Sequence, residues 1–200
     1  MAGDRVYLFA HTKSRREDVT LPEEKYPKLD DEARAKLSKE ELQEYETARR
    51  EEQQARREKQ YRHVESLVCF DADNGQQLWR SEFESRQTRH AQSASPAVFD
   101  GAVFVHGARG KVRAVDAQSG KQLWETQLPG EFDDEPHPAS VAAADGVLIV
   151  VARRLFGIDA KTGKVRWQGE DEITGGDASP AIWRHDGANF VLAHIGSETA

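Results

Sequence analysis

The sequence predicts an all-β chain assembled from repeats of a four-stranded antiparallel unit and broken once by a charged helical insertion. Three observations carry that prediction. An eleven-residue phrase returns three times, with Asp71, Asn74, Gly75 and Trp79, then Asp116, Ser119, Gly120 and Trp124, then Asp159, Thr162, Gly163 and Trp167 in equivalent places. Its tryptophans stand 45 and then 43 positions apart, a period that marks a repeat architecture. Between the copies the chain reads as short β-type runs separated by turn signals at close intervals, the pattern of an antiparallel meander.

The elements follow in chain order. Residues 3–9 (Gly-Asp-Arg-Val-Tyr-Leu-Phe) resemble 100–105 (Asp-Gly-Ala-Val-Phe-Val), so the chain opens on the second strand of a first unit, which comprises residues 3–11 and 64–83. Residues 12–63 interrupt it and are dense in charge, with acidic and basic clusters alternating. A short helix is expected near 31–37. Ser38 followed by Glu41 is a capping-box signature, so a long solvated helix is expected from Lys39 to about His63. Glu46/Arg50, Glu52/Arg56 and Glu58/Arg62 are favourable i,i+4 pairs on it. Its apolar stripe (Leu42, Tyr45, Ala48, Ala55) is thin, which describes an exposed excursion; the sharper reading is a partner-docking arm.

The second unit, 93–128, is the cleanest. Strands are expected at 94–99, 102–106, 111–116 and 121–127, with Asp100-Gly101 as a two-residue hairpin turn and Gly-Ala-Arg-Gly at 107–110 as an ordinary turn. The last two strands alternate polar and apolar. A third unit spans 138–169, and a fourth begins at 177–195. Thirteen strands are expected in all.

The repeated phrase has a mechanical reading. Asp71, Asp116 and Asp159 end a strand, where a carboxylate accepts the N–H groups of the turn that follows. Gly75, Gly120 and Gly163 occupy the bulge position that favours a residue without a Cβ. Each tryptophan then lies on an outer strand, with a ring too large to leave wet in three successive units. Packed on a neighbouring sheet, such a ring contributes roughly 3–5 kcal/mol, judged by truncation to Ala, and its N–H needs an acceptor from the adjacent unit.

The pattern Ala-x-Asp-x-x-Thr/Ser-Gly-x-x-x-Trp, complete from Ala114 to Trp124, resembles the tryptophan-docking motif of the quinoprotein-type (PQQ-like) β-propeller repeat family. The first copy departs from it at Cys69 and Asn74 and the third at Gly157. The family includes quinone-dependent alcohol dehydrogenases and cofactor-free relatives such as the propeller lipoprotein of the outer-membrane barrel-assembly machinery. The resemblance implies a partial β-propeller of four-stranded antiparallel blades with a charged helical insertion in its first blade. Propellers close with about 4–8 such blades, so thirteen strands that begin and end in mid-blade are expected to be a fragment of a longer protein, with the rest of the propeller missing from this chain. The resemblance also implies a periplasmic or exported location, although residues 1–10 do not read as a signal peptide.

In a meander blade the second-to-third-strand loop and the blade-to-blade connection leave on the same face. The insertion and the polar loops at 84–93, 130–139 and 170–178 are therefore expected together at the mouth, and loops on a rigid scaffold carry function. His90 and His137 precede equivalent inner strands there; with Ser93 and Asp177 they make up the candidate ligand face. The resemblance implies a non-catalytic scaffold that binds a protein partner or an extracellular ligand, with no cofactor. The alternative is a fragment of a PQQ-dependent dehydrogenase whose quinone and calcium lie in other blades; a ligand-sensing propeller attached to another domain is a third reading. Active dehydrogenases of the family use an adjacent cysteine pair over the cofactor, and this chain has one cysteine.

Composition removes other classes. Asp and Glu number 35 against 28 Lys and Arg, so no general field favours nucleic acid. No run of about 18 apolar residues offers a membrane span. The single Cys69 rules out an internal disulfide and, within a β-type run, reads as a buried thiol. The seven histidines show no zinc-site spacing, and no metal ligands are assigned. No nucleophile elbow, Walker loop or Rossmann glycine pattern is present, and no catalytic residue is assigned. The acidic run at 131–135 lacks the ligand order of a calcium loop.

Overall fold

A computed structural model describes residues 3–86, 94–132, 139–173 and 179–193 of the chain. Contacts divide the chain into two units, Met1–Thr12 with Val64–Ala200, and Lys13–His63.

The first unit is a succession of antiparallel sheets. Sheet 1 runs β1 (Arg5–Arg15), β2 (Tyr61–Asp71), β3 (Gln77–Ser85). Sheet 2 runs β4 (Ala97–Phe99), β5 (Ala102–His106), β6 (Lys111–Asp116), β7 (Gln122–Gln127). Sheet 3 runs β8 (Ala142–Ala144), β9 (Val147–Ala152), β10 (Arg154–Asp159), β11 (Val165–Gln168). Sheet 4 has β12 (Ala181–His185) and β13 (Ala188–Leu192). Neighbours in sequence are neighbours in each sheet, the meander connectivity of propeller blades. The fold is thus the partial β-propeller expected from the sequence, mostly strand with four-stranded antiparallel blades, and among the described residues its α-helices belong to the insertion.

Local chemistry explains the sharp reversals. Asp100-Gly101, Asp145-Gly146 and Asp186-Gly187 all carry positive φ at both residues (47° and 75°, 51° and 71°, 47° and 75°). Two successive left-handed residues make the type I′ turn whose twist matches a hairpin. The pairing of β6 with β7 shifts register between Ala114 and Val115, and that of β10 with β11 between Gly157 and Ile158. Each bulge sits next to a turn whose glycine, Gly120 or Gly163, has φ of 74°.

β4 opens at Ala97, later than the 94 read for it, and β8 opens at Ala142. Ser95 and Ser140 lie just before them, and the Ser95 N–H donates to Ser140 Oγ at 2.9 Å, as Ser140 N–H does to Ser179 Oγ at 3.0 Å. The openings of successive sheets are tied to one another.

The core lies between sheets. Phe9, Leu67, Phe83, Val103, Val105 and Val115 form one apolar cluster joining sheets 1 and 2. Phe104, Val112, Leu128, Leu148, Val150, Phe156 and Ile158 form a second, joining sheets 2 and 3. Alternate residues of β5 thus enter different clusters, and every residue of β5 is buried. The alternation read for β6 is not matched by its burial, since all four central residues are buried. A sheet covered on both faces buries both sets of side chains. Cys69 is buried in β2, and burial pushes its thiol up from its ordinary range.

The second unit is held by its own polar contacts. α1 (Asp31–Ala35) is capped by Asp30, whose side chain accepts from Ala33 N–H at 2.8 Å. α2 (Lys39–Gln60) has the capping box, with Glu41 N–H on Ser38 Oγ at 3.2 Å and Ser38 N–H on Glu41 Oε2 at 2.9 Å. Tyr45 serves less as an apolar stripe than as a clasp. Its hydroxyl donates to the Pro27 carbonyl at 2.9 Å, and its ring meets Tyr26 edge-on at 5.5 Å. Glu52 accepts the N–H groups of Lys25 and Tyr26 at 2.8 and 2.7 Å. The helix stops at Gln60, short of His63, because Tyr61 takes extended backbone (φ −122°, ψ 143°) and opens β2.

Candidate functional site

The repeated phrase builds one structure three times. In the first turn Asp71 Oδ1 accepts from the N–H groups of Asp73 and Asn74 at 3.0 and 3.1 Å. In the second, Asp116 Oδ1 accepts from the Ser119 N–H at 2.7 Å and its hydroxyl at 2.6 Å. In the third, Asp159 Oδ1 accepts from Lys161 N–H, Thr162 N–H and the Thr162 hydroxyl at 3.1, 2.8 and 2.8 Å. Hydrogen bonds to the ionised form favour it. The Ser119 hydroxyl therefore holds the Asp116 carboxyl below its ordinary range, and Arg166, with help from Thr162, does so more strongly for Asp159.

Two of the three tryptophans lie against the next sheet's turn. The Trp79 indole N–H donates to the Ala117 carbonyl at 3.2 Å, and that of Trp124 to the Ala160 carbonyl at 3.1 Å. Under each ring sits the turn glycine. A Cβ on Gly120 would fall 2.7 Å from the Trp79 ring, and one on Gly163 would fall 2.7 Å from that of Trp124. Trp167 differs: it is 41% exposed, and its ring lies across Gly157 of its own sheet.

At the end of the sheets where β3 and β7 run out lies a charged constellation. Arg113 on β6 and Glu65 on β2 are almost wholly buried and paired at 2.8 Å. Glu65 also accepts the Ala108 N–H at 2.6 Å. Arg113 Nε reaches Glu125 at 2.7 Å, Lys111 reaches the same carboxylate at 2.9 Å, and the guanidinium lies 4.6 Å from the Phe83 ring centroid. Burial raises the Glu125 pKa, but its bonds to Lys111 and Arg113 outweigh that and lower it. The 107–110 turn is more than an ordinary reversal. A Cβ at Gly107 would meet Glu65 Oε2 at 2.5 Å, and Arg109 holds left-handed backbone at φ 58°, where a residue other than Gly, Asn or Asp is uncommon. Beside this pair opens a cleft of about 490 Å³, lined by Glu65, Glu84, Arg86, Arg109, Lys111 and Gln127 among others. Guanidinium, ammonium, carboxylate and amide groups lining one cleft suit a polar, charged ligand or the side chains of a protein surface.

The four residues of the expected ligand face, His90, Ser93, His137 and Asp177, lie outside the described residues. Among the described residues no group of three or more His, Cys, Asp or Glu side chains is arranged to hold a metal, and no helix is long and apolar enough to cross a membrane. Sequence reasoning did not find Glu65, Arg113 or two hydroxyls. Ser81 donates to the Gly120 carbonyl at 2.5 Å and Thr126 to that of Gly163 at 2.6 Å. Their signal was present as Trp-x-Ser/Thr in the first two copies; the third has Gly169 there.

The family model described as outer membrane protein assembly factor BamB matches residues 64–194. No curated protein matches the chain. Among solved structures, BamB from Moraxella catarrhalis is similar with 19% identity and a TM-score of 0.47, over 68% of this chain and 41% of that one. The quinohemoprotein alcohol dehydrogenase ADHIIG from Pseudomonas putida HK5 is similar with 18% identity and a TM-score of 0.44, over 66% of this chain and 29% of that one. The computationally designed Ika4 protein has 17% identity and a TM-score of 0.44, over 68% of this chain and 86% of its own. The chain thus spans less than half the length of the two natural proteins.

Proposed function

Because the chain belongs to the family described as outer membrane protein assembly factor BamB, we propose that it is part of a PQQ-like β-propeller that acts as a binding scaffold without catalysis. On this reading it works outside the cytoplasm and engages a protein partner or an extracellular ligand. The contact surfaces are the loops at one end of the blades and the 13–63 arm. The observation that carries the reading is the use made of the repeat's chemistry. The Trp79 and Trp124 indole N–H groups are committed to carbonyls of the neighbouring sheet, while the charged cleft beside Glu65 and Arg113 leaves a polar surface for a ligand. The arm adds support, because its α2 is fully capped and braced by residues 22–27 although it buries no side chain completely.

The test is affinity capture on the intact chain and on a variant in which a short Gly-Ser link replaces residues 13–63, each captured protein then being assayed in purified form. β1 and β2 are adjacent strands, so the link spans about 5 Å. The expected result is a defined partner whose affinity falls at least tenfold without the arm. Equal affinity would remove the arm from the interface. Quinone- and calcium-dependent oxidation of an alcohol by the protein would overturn the non-catalytic reading.

A further inference from the structure

Outside residues 13–63 the chain is acidic, with 21 Asp and Glu against 14 Lys and Arg. The cleft beside Glu65 and Arg113 reverses that sign. Its lining brings together Arg86, Arg109, Lys111 and Arg113 against Glu65 and Glu84. Two carboxylates of this region are already engaged. Glu65 accepts from the Ala108 N–H and from Arg113, and Glu125 accepts from Lys111 and Arg113. With Glu125 counted in, cations still outnumber carboxylates four to three. The repeat itself does not require this chemistry. Forty-three positions on, the spacing of Trp124 and Trp167, Arg113 is replaced by Phe156, buried in the second apolar cluster, and Glu125 by Gln168. Arg109 is also held in an unusual state. Its backbone is left-handed at φ 58°, and its carbonyl accepts from the Gln127 amide at 2.7 Å. Left-handed backbone at a residue other than glycine persists where its surroundings fix it, and it collects at ligand-binding sites.

We propose that this cleft binds an acidic segment of a partner protein. The inference rests on the scaffold reading above and gives that scaffold's partner a chemistry. Arg86, exposed just past the end of β3, and Arg109 donate to the segment's carboxylates, because a guanidinium meets a carboxylate through two parallel N–H···O bonds. Lys111, held by Glu125 at 2.9 Å, adds a compact positive charge to the same lining. Arg113 is a positioning residue. It is only 1% exposed, and its bonds to Glu65 and Glu125 fix the 107–110 turn and the counter-ion of Lys111. The charge decides for a polypeptide over a small molecule. Small-molecule sites are lined mostly by apolar side chains, whereas charged, solvent-accessible contacts belong to the rims of protein interfaces.

The experiment titrates the intact chain at low salt with the capped peptide acetyl-Gly-Glu-Gly-Glu-Gly-amide, with the same peptide carrying Gln for Glu, and with glutarate. The readout is the pair of Arg86 and Arg109 Nε–H resonances, assigned by their loss in Arg86→Gln and Arg109→Gln. Both are expected to shift with the Glu peptide and to stay unmoved with the Gln peptide, and added salt is expected to weaken the binding. Arg86→Glu is expected to lower the affinity roughly tenfold. Lys121→Glu makes the same charge change in the turn at the other end of β6 and β7 and is expected to leave the affinity as it is. No shift at millimolar Glu peptide overturns the proposal, as does an equal shift from the Gln peptide or an equal loss from Lys121→Glu. Glutarate that binds as tightly as the Glu peptide also overturns it and assigns the cleft to a free diacid. A captured partner that binds the intact chain and Arg86→Glu equally well overturns this inference while leaving the scaffold reading in place.

Discussion

Glu65 and Arg113 stand 48 positions apart and meet in the interior at 2.8 Å. Two buried charges are tolerated only when paired and hydrogen-bonded, and both conditions hold. Ala108 N–H donates to one Glu65 oxygen and Arg113 Nη1 to the other, while Arg113 Nε donates to Glu125. Removing Arg113 leaves Glu65 buried without its counter-charge, which costs about 3–5 kcal/mol, whereas replacing both with apolar groups of similar volume is often close to neutral. Arg113→Met is therefore expected to lose that much in urea denaturation, and Glu65→Leu with Arg113→Met to lose less than Arg113→Met alone. A double variant that loses at least as much would show that packing, not charge pairing, explains the site. Asp159 gives a pH signature. Arg166 and Thr162 hold its carboxyl below the ordinary range. A group whose folded pKa is depressed contributes stability above its unfolded pKa, about 3.9 for Asp, and loses it as pH falls through the lower folded value. The melting temperature should fall as pH drops from about 5 toward 2, and Asp159→Asn should flatten part of that fall. Superimposable pH profiles for the two proteins would contradict the role given to Arg166.

At the scale of elements, α2 and the blades are held by different means. Most helices in proteins are stabilised by packing an apolar face, but α2 has no fully buried residue and its first turn rests on the Ser38–Glu41 box. Ser38→Ala is expected to cost the arm about 1 kcal/mol. It should be read as faster amide exchange over the first turn of α2 with the exchange of β5, β6 and β9 unchanged. Faster exchange at the sheets as well, or no change at the helix, would contradict the separation of the two units. Local signals made these elements legible in the sequence. Asp100-Gly101 and Asp145-Gly146 announce I′ turns because few other residue pairs take two positive φ values in succession, and Ser-x-x-Glu announces a helix start. The end of α2 was less legible. Its helix-forming composition continues to Arg62, and what stops it at Gln60 is pairing in β2, a contact with strand residues some 50 positions earlier in the chain.

At the scale of the whole molecule, the fold class was visible in the period of the tryptophans, but much of the candidate site was not. A repeat marks which residues recur, and so it pointed to Asp71, Asp116, Asp159 and their glycines. Glu65 and Arg113 do not recur. Arg113 falls at a polar place in an alternating strand that a lone sheet would expose, and only burial of both faces of β6 turns it inward. Ser81 and Thr126 recur twice and then stop at Gly169, a signal too short to read without the carbonyls they meet. The central claim is that neighbouring blades are joined by an indole seated on the next blade's turn. Comparison of Trp124→Ala with Trp167→Ala by equilibrium denaturation tests it most directly. Trp124 has both the Ala160 carbonyl and the Gly163 seat, while Trp167 has neither. The account predicts a loss of roughly 3–5 kcal/mol for Trp124→Ala and under about 1 kcal/mol for Trp167→Ala, as for an exposed side chain; equal losses would contradict it.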